Sequence, residues 1–383
     1  MKLIYINSDN SSVTEAQVFS LLKHYKHINE IEELTLLQGF RDVSEKDSLT
    51  KKLGNFKFNT VWFKRWHGYT FFRYLAYYTF SKALKKLKLD EETVIHVRGE
   101  IYGAIAQKFV KKNASPAKLL IDIRGVGYEE VNNYYAHNSM LRNNKARFFK
   151  ESFNQIKNSQ ITVVSKAFKN YLVDDHGFKA FNICVHPNIA SEQFTFDLDL
   201  RKQTRDKLQF SADKIVAICS SGGGSAWQKD NELITPLLNL GIQVINLSSK
   251  NVEISGVINK MVPFAEVPAY LAAADIAVLW RDDNVVNNVA SPSKLSEFAC
   301  MGLWLIHNGT VKIGLDYIND TNAGLIIDSS EELTADKIKI FSDTDRVYHA
   351  AVGRKTFGVE FVAASYVETY QKLLRHQQLG LVN

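Results

Sequence analysis

The chain has 383 residues, of which 45% are hydrophobic, 23% charged and 11% aromatic, with only 6 prolines. This composition is typical of a soluble folded protein and excludes disordered, collagen-like and disulfide-stapled chains. The length predicts two globular domains, at roughly 150 residues per domain. The formal net charge of +6 is unevenly spread: residues 1–190 carry 29 Lys and Arg against 18 Asp and Glu, and residues 191–383 carry 18 against 23. We expect the basic half to meet an anionic surface or a polyanion, unless the asymmetry is ordinary surface variation.

The three cysteines, Cys184, Cys219 and Cys300, are widely spaced and lie in or beside apolar runs, which is typical of reduced core cysteines in a cytosolic protein. Neither Cys-x-x-Cys nor His-Glu-x-x-His occurs, so no metal site is predicted. The first apolar run is too short for a secretory signal, and no run approaches about 18 apolar residues. We therefore expect a cytoplasmic protein, with peripheral contact at the inner face of the membrane as a further option.

Short apolar runs bounded by turn residues alternate with helical patterns along the first half. The runs that predict buried strands are Leu3–Ile6, Val94–Val97, Leu119–Ile123, Ile161–Val164 and Asn182–Val185. The second half repeats the pattern at Ile215–Cys219, Gln243–Leu247, Ile276–Leu279, Leu303–Ile306 and Leu325–Ile327. Such alternation implies parallel strands joined by right-handed crossovers, hence an α/β protein with two doubly wound sheets.

A polar stretch at about 186–212 separates the two strand series and reads as the linker. The predicted domains are 1–190 and 191–360. The remaining segment, 361–383, is helical in pattern, and its apolar stripe suits a helix that crosses back to the first domain.

A glycine-rich turn follows the first strand of the second half, within Cys219–Asp230, and precedes a predicted helix near Asn231–Leu240. Gly222, Gly223 and Gly224 would let the backbone approach a ligand closely, and helix-start amides favour phosphate. Lys229 would add a cation for a diphosphate. The segment matches neither the P-loop nor the dinucleotide fingerprint, and a plain flexible turn is the alternative.

A second candidate segment begins with the run Ser291-Pro-Ser-Lys-Leu-Ser-Glu297. We predict a helix that starts at Ser291, has Pro292 at its first position and ends near Met301. A phosphate at this start would meet the free amides, the helix dipole and Lys294, while Glu297 could accept hydrogen bonds from a ribose diol. In isolation, the two charges also fit an i,i+3 ion pair on a solvated helix face.

Three features in this order resemble the donor domain of GT-B glycosyltransferases, specifically glycosyltransferase family 4: the glycine-rich turn with Trp227, the run Phe264–Asp275, and the run from Ser291 to Glu297. The segment Leu120–Gly125, followed by two glutamates, is similar to part of some members' acceptor domains. The resemblance therefore spans most of the chain.

By this resemblance, two Rossmann-like domains face a cleft, and the second binds a nucleoside diphosphate sugar through Gly222, Gly223, Gly224, Trp227, Ser291, Pro292, Ser293 and Glu297. The sugar would be transferred with retention and without a metal or other cofactor. Lys294 and Lys229 would stabilise the departing diphosphate, as preorganised cations do. The family commonly has a second glutamate seven residues before the one matched by Glu297, where this chain has Val289. Asn287, Asn288 or Asp283 are the candidates to replace it.

In the first half, Asp122 and Arg124 lie at the carboxyl end of a predicted strand, where α/β sheets bind ligands. They are predicted catalytic residues, and a structural ion pair is the equally weighted alternative. His96 ends another predicted strand, and a core histidine is the favoured interpretation there.

Residues 48–89 contain 10 Lys and Arg, no Asp or Glu, and 12 aromatic residues. This inventory suits anionic lipid or, less well, single-stranded nucleic acid. The alternative is that most rings are core, with Tyr74, Leu75, Tyr78 and Leu84 on one helical stripe. The predicted acceptor or membrane residues are Lys64, Arg65, Trp66, Arg73, Lys85 and Lys86.

Three functional hypotheses follow. The first is a hexosyltransferase that uses a UDP- or GDP-linked sugar and a glycan or lipid-linked acceptor, in cell-surface polysaccharide or glycolipid synthesis. The second is a nucleotide-sugar epimerase of the same architecture. The third is a lipid- or nucleic-acid-binding protein without catalysis, which Val289 favours.

Overall fold

The computed structural model describes residues 1–10, 14–54, 56–134, 139–220 and 227–379. The chain forms two compact units. Unit 1 comprises Met1–Pro187 together with the chain from Val362 onward, and unit 2 comprises Asn188–Phe361. Each unit contains one parallel sheet with helices, so the predicted α/β class with two doubly wound sheets is confirmed.

Unit 1 contains a seven-stranded sheet in the order β3-β2-β1-β4-β5-β6-β7, and every neighbouring pair is parallel. Its strands are β1 (Lys2–Asn7), β2 (Glu33–Phe40), β3 (Asn59–Lys64), β4 (Thr93–Arg98), β5 (Lys118–Ile123), β6 (Gln160–Val163) and β7 (Ile183–Val185). The strand order reverses direction between β1 and β4, which defines the switch point of this sheet.

The helices of unit 1 are α1 (Ser20–Tyr25), α2 (Val43–Gly54), α3 (Arg73–Leu84), α4 (Glu100–Lys112), α5 (Gly127–Tyr134), α6 (Ser139–Gln155) and α7 (Lys166–Asp174). A π-helical turn, Glu15–Phe19, leads into α1. Helix α4, for example, buries Tyr102, Ile105 and Phe109 and leaves Lys111 and Lys112 exposed, as is typical of a helix on the face of a sheet.

Unit 2 contains a six-stranded parallel sheet in the order β10-β9-β8-β11-β12-β13. Its strands are β8 (Val216–Ser220), β9 (Gln243–Leu247), β10 (Val257–Lys260), β11 (Ile276–Leu279), β12 (Trp304–His307) and β13 (Gly324–Ile326). Its switch point lies between β8 and β11.

The helices of unit 2 are α8 (Leu198–Lys207), α9 (Ile234–Asn239), α10 (Val267–Ala273), α11 (Val285–Val289), α12 (Ser293–Cys300), α13 (Lys312–Thr321) and α14 (Asp343–Phe357). The last helix, α15 (Val359–Leu379), starts in unit 2, and its residues from Val362 belong to unit 1. Tyr366 and Tyr370 of α15 are fully buried among unit 1 residues.

Glycine lets α12 and α14 approach backbone to backbone. A Cβ at Gly353 of α14 would lie 2.1 Å from the Ala299 carbonyl oxygen of α12. Gly302, directly after the C-cap residue of α12, has φ +64°. A Cβ at Gly302 would clash with the Arg346 carbonyl. Arg346 is buried between these elements and donates to the carbonyls of Met301 and Leu271. The end of α12 is therefore held by contacts with its backbone.

The ten predicted strands are all present, with boundaries that agree to within one residue. Three strands were missed, namely β2, β3 and β10. The last two are edge strands, whose half-exposed side chains interrupt the apolar run. β2 is internal, but it carries buried Gln38, whose side chain bonds to Asn7 of β1 at 2.9 Å. Among the described residues, no helix combines the length and the apolar character needed to cross a bilayer.

Candidate functional site

The switch point of unit 2 holds the glycine-rich turn at the carboxyl end of β8. Gly222, Gly223 and Gly224 lie outside the described residues. Directly after them, the chain runs antiparallel to the segment that follows β11, through a Gln228–Arg281 bridge. The Lys229 amide donates to the Trp280 carbonyl at 3.0 Å, and the Asp282 amide donates to the Trp227 carbonyl at 3.2 Å. Residues 227–229 are thus attached to the segment that follows β11, at the edge where open α/β sheets bind ligands.

The helix after this turn begins later than predicted. Residues Asp230–Leu233 form a 3₁₀ turn, and the α-helix α9 starts only at Ile234. The reason is Pro236, which lacks an N–H and is tolerated only in the first turn of an α-helix. The glycine-rich turn therefore does not lead straight into an α-helical N-terminus.

Arg281 and Asp230 form the charged centre of this edge. Both side chains are buried, and Asp230 accepts a hydrogen bond from the Trp280 amide at 2.9 Å. Burial raises the pKa of Asp230 to about 6, although nearby Arg281 opposes the shift. Burial likewise lowers the pKa of Arg281. The Arg281 Nε has no hydrogen-bond partner among the described residues, so it is a donor available beside the turn.

Sequence reasoning identified Lys229 as the cation of the turn and missed Arg281. Lys229 is partly exposed and lies 3.7 Å from an Asp282 carboxylate oxygen. Arg281 is distant from the turn in sequence and follows no recognisable motif. Its position directly after β11, next to β8 in the sheet, is the signal that would have found it.

The next strand end, that of β12, carries His307. The Nδ1 of His307 accepts a hydrogen bond from the Gly309 amide at 2.7 Å, which leaves the proton on Nε2. Burial, together with Lys312 and Arg281, lowers the pKa of His307 to about 4, so this imidazole is neutral at pH 7. The buried Nε2 has no hydrogen-bond partner among the described residues.

Helix α12 starts at Ser293, two residues later than predicted, and Pro292 occupies the N-cap position. Pro292 has an extended backbone (ψ 134°), because the residue before it, Ser291, is held outside the helix. The Ser291 hydroxyl accepts a hydrogen bond from the Asn188 amide at 3.1 Å, and its carbonyl accepts one from the Asn188 side chain. Ser291 is buried by these contacts, and its predicted role in donor binding stays a prediction.

Lys294 and Glu297 form the i,i+3 ion pair that was the alternative interpretation, with 2.8 Å between Lys294 Nζ and Glu297 Oε2. The pair does not lie on a solvated face, however, since the Glu297 side chain is only 4% exposed and that of Lys294 19%. A buried ion pair is costly to desolvate and so contributes little net stability. Its value lies in where it places the two charges. Both residues remain predicted donor-site residues.

Val289, at the position of the expected first glutamate, is buried at the end of α11. Of the three predicted replacements, Asn287 is engaged, because its side-chain amide donates to the Asp282 carbonyl at 2.8 Å. Asp283 is exposed. The buried Oδ1 of Asn288 has no hydrogen-bond partner among the described residues, which makes Asn288 the best placed of the three.

In unit 1, Asp122 and Arg124 form a buried ion pair, with 2.7 Å between Arg124 Nε and Asp122 Oδ2. Arg124 also donates to the hydroxyl of Tyr366 at 2.6 Å, and His96 Nε2 lies 3.3 Å from Asp122. Arg124, His96 and Arg98 hold the pKa of Asp122 well below its usual range against the effect of burial. This geometry is that of the structural alternative, and a catalytic role for the pair stays a prediction.

The favoured interpretation of His96 fits the structure: the side chain is fully buried, and its Nδ1 lies 2.7 Å from the Tyr370 hydroxyl. Burial lowers its pKa.

Some cations of the basic segment 48–89 are paired with acidic residues from outside the segment. Arg65 pairs with Glu45 at 2.5 Å, and Arg73 pairs with Glu151, so acids from outside the segment meet two of its six predicted contact residues. Lys64, Lys85 and Lys86 are exposed, and Trp66 is half-buried.

The alternative interpretation, which placed the helical stripe of Tyr74, Leu75, Tyr78 and Leu84 in the core, is wrong for three of these four residues. Tyr74 is 80% exposed and Tyr78 63% exposed, and Leu75 is exposed as well, whereas Leu84 is buried. The reason is that α3 packs on the sheet through Ala76, Phe80 and Ala83, the adjacent stripe. Together with exposed Phe71 of the preceding 3₁₀ turn, Tyr74 and Tyr78 form what we call the aromatic face of α3.

Both units thus place chemistry-bearing residues at the carboxyl edge of a parallel sheet, and this two-sheet fold is that of the GT-B glycosyltransferases. A glycosyltransferase from Rickettsia africae matches with a TM-score of 0.71 at 14% identity, covering 97% of this chain and 98% of that one. Anabaena HepE, solved with UDP-glucose, matches with a TM-score of 0.69 at 13% identity over 97% and 100%. Sucrose-phosphate synthase from Thermosynechococcus elongatus matches with 0.66 at 13% over 98% and 100%.

No family model matches the chain, and no curated protein matches it in sequence. At these identities the structural likeness shows the fold. Within the described part of the chain, no group of three or more His, Cys, Asp or Glu side chains is arranged to hold a metal ion.

Proposed function

We propose that this protein is a glycosyltransferase that moves a sugar from a nucleoside diphosphate sugar to a glycan or lipid-linked acceptor. The observation that carries the proposal is the arrangement at the switch point of unit 2, where residues 227–229, which follow the glycines in sequence, pair with the segment of Arg281. The similar folds support it, since HepE was solved with UDP and with UDP-glucose.

The diphosphate of the donor would lie against the glycine-rich turn, with Arg281 and Lys229 as the nearest cations. Departure of a nucleoside diphosphate builds negative charge on phosphate oxygens, and preorganised cations and amides lower that barrier. Glu297 would bind the ribose, and Lys294, paired with it, would be the second cation of the site. Asn288 would supply the sugar contact that Val289 cannot. His307, which is neutral at pH 7, would also donate a hydrogen bond from Nε2 to the sugar.

The finer features of the proposal come from the resemblance in sequence. They are a UDP- or GDP-linked hexose, transfer with retention, no metal requirement, and a place in cell-surface polysaccharide or glycolipid synthesis. Retention is tested separately, by the anomeric configuration of the product in proton NMR.

The experiment that tests the donor class is thermal unfolding of the whole protein with UDP, GDP, ADP and dTDP. We expect one nucleotide to raise the melting temperature, by mass action on the folded state. Arg281→Gln should abolish that rise, whereas Lys260→Gln, at an exposed position on the edge strand β10, should leave it intact. In Arg281→Gln, the glutamine removes the positive charge but keeps a polar group beside Asp230.

No stabilisation by any of the four nucleotides would contradict the transferase and favour a binding protein without catalysis. Conversion of a bound donor into its epimer without an acceptor would favour the epimerase. Each outcome selects one of the three hypotheses.

We also propose that unit 1 contacts an anionic membrane surface through the aromatic face of α3. A groove of about 550 Å³ beside this helix is lined by Trp62 and by Lys46, Lys64, Lys82 and Lys86. Rings at headgroup depth with lysines around them are the inventory of interfacial helices.

Vesicles of phosphatidylcholine with and without phosphatidylglycerol test this contact by co-sedimentation. At ~1 kcal/mol per lysine, the variant Lys82→Gln, Lys85→Gln, Lys86→Gln should bind on the order of 100-fold more weakly to the anionic vesicles. The control Lys202→Gln, Lys207→Gln changes exposed lysines of α8. Equal binding to both vesicle types would contradict a membrane role.

A further inference from the structure

A pocket of about 250 Å³ lies at the switch point of unit 1 and belongs to no motif in the sequence. Four of its lining residues follow directly on four strands: Ser8 after β1, Arg41 after β2, Arg65 after β3 and Gly99 after β4. Gly99 has φ +91°, which glycine adopts readily and which turns the chain from β4 into α4. The carboxyl edge at the switch point is where open α/β sheets bind ligands.

Aromatic rings form much of the wall. Trp66, Tyr69, Tyr102 and Phe149 all line the pocket. The Tyr102 hydroxyl accepts a hydrogen bond from the Trp66 amide at 3.3 Å, which fixes the Trp66 backbone against a buried ring. Rings of this kind provide rigid apolar surface for the C–H face of a sugar, while a few polar groups set its orientation.

Two buried donors of this wall have no hydrogen-bond partner among the described residues: the Nε1 of Trp66 and the Nε of Arg65. The other end of the Arg65 guanidinium is held by Glu45, which fixes its orientation. Buried N–H groups are nearly always satisfied in folded proteins, so two orphaned donors in one pocket point to a ligand that accepts hydrogen bonds.

The charged groups of the pocket are mostly cationic. Arg41, Arg65 and Lys145 line it together with a single carboxyl group, that of Glu100. The Glu100 carboxylate accepts a hydrogen bond from the Gly127 amide, and burial and the nearby Glu130 raise its pKa to about 7. Glu45 pairs with Arg65, and Lys145 lies near Glu130. Glu100 itself carries only part of a negative charge at neutral pH, so it can also donate a hydrogen bond to a hydroxyl.

We propose that this pocket binds the acceptor as a sugar carrying an anionic substituent, a carboxylate or a phosphate, that pairs with Arg41 and Lys145. The ring packs against Trp66 and Tyr69, and Arg65 and Trp66 donate to its oxygens. Guanidinium and ammonium groups form their strongest hydrogen bonds with such anions. This inference rests on the proposed transferase function, because it names the acceptor class of that enzyme.

Saturation-transfer NMR on the whole protein, without donor, tests the pocket with three probes. Methyl glucuronide carries a carboxylate, glucose 6-phosphate carries a phosphate, and methyl glucoside carries neither. We expect at least one anionic probe to bind about tenfold or more tightly than the neutral sugar, since a hydrogen bond to a charged group is worth about that factor. The better anionic probe identifies the substituent.

Arg41→Gln and Lys145→Gln should each weaken the anionic probe about tenfold and leave the neutral one unchanged. Lys111→Gln is the matched control, because Lys111 is exposed on α4 and does not line the pocket. Arg41 is exposed, so its replacement preserves the fold, and nucleotide-dependent thermal stabilisation serves as the check that each variant is folded.

Equal binding of neutral and anionic sugars, or anionic binding that ignores both substitutions, would overturn the inference. If a nucleoside diphosphate binds and no anionic sugar does, the acceptor inference fails while the transferase stands. If anionic sugars bind and respond to both substitutions but no nucleotide binds, the pocket stands and the transferase fails.

Discussion

The carboxyl edge of each sheet holds a buried carboxylic acid whose pKa is raised, Glu100 in unit 1 and Asp230 in unit 2, and the two acids have different neighbours. Glu100 of unit 1 lies near another acid, Glu130, and its pKa rises to about 7. Asp230 of unit 2 lies near a cation, Arg281, and burial raises its pKa from 3.8 to about 6. The two pKa values rise by similar amounts because burial dominates both, and the neighbours differ in that Glu130 adds to the rise whereas Arg281 opposes it.

The difference separates two kinds of edge. At pH 7 Asp230 is mostly ionised, and its negative charge is opposed by the nearby positive charge of Arg281. Glu100 is only about half ionised at that pH and has no cation among the causes of its shift. At the end of β4, the Glu100 carboxyl group can therefore either accept a hydrogen bond from a ligand or donate one to it.

The largest effect on stability is expected where a buried ion pair is broken, namely Asp122–Arg124 of unit 1. Arg124→Leu leaves Asp122 fully buried without its cation and should lower the free energy of unfolding by about 3–5 kcal/mol, measured by urea denaturation. The double variant Asp122→Asn, Arg124→Leu should recover much of the loss. A stable Arg124→Leu protein without turnover would instead show that the pair acts in catalysis.

Lys294→Ala should lower kcat on the order of 10²–10³-fold, as removal of a preorganised charge at a developing anion does. Because Glu297 is then buried without a partner, stability should fall too. Adding Glu297→Gln restores a neutral site, so the double variant should regain stability but not turnover. A near-normal rate for Lys294→Ala would remove Lys294 from the donor site.

The pH dependence of stability should distinguish the two acids. A carboxyl group whose folded pKa lies above its ordinary value holds its proton longer when folded, so the folded state loses stability as pH rises between the two values. For Glu100 the window is about pH 4.5–7. Glu100→Gln should therefore be more stable than the parent at pH 8, by about 3 kcal/mol, and similar at pH 4.5. The same difference at both pH values would refute the assignment.

The smallest effects are expected at the helix caps of the two edges. Ser165 accepts a hydrogen bond from the Phe168 amide at 3.0 Å to cap α7 in unit 1, and Asn284 accepts one from the Asn287 amide at 3.1 Å to cap α11 in unit 2. Alanine at either position should cost ~1 kcal/mol of stability. Only Asn284→Ala should also raise the KM for the donor, because α11 carries Asn288. An unchanged KM would place Asn288 outside the site.

Much of the fold was predictable because burial leaves a local pattern. A strand inside a parallel sheet is apolar on both faces and appears as a continuous apolar run, as in Ile276–Leu279. The edge strands β3 and β10 were missed because β3 has one buried residue and β10 has none. The helix start at Ser293 was misjudged by two residues, because Asn188, distant in sequence, holds Ser291 outside the helix.

The candidate site was predictable only where a motif is continuous in sequence. The glycine-rich turn and the Lys294–Glu297 spacing are local features. Arg281 is not, because its proximity to the turn depends on β8 and β11 being neighbours in the sheet. In the pocket of unit 1, Arg65 and Trp66 were predicted contact residues, but the pocket as a whole was not predicted, because four of its lining residues follow four separate strands.

The uneven charge shows the same division. The sequence by itself determined that the first half is basic and that residues 48–89 contain no acid, because composition needs no fold. Only the tertiary structure decided which of those cations are matched: Glu45 and Glu151 pair with Arg65 and Arg73, while Lys85 and Lys86 stay exposed. The physical reason is that charge pairing acts over a few ångströms, and only folding brings residues so distant along the chain within that range.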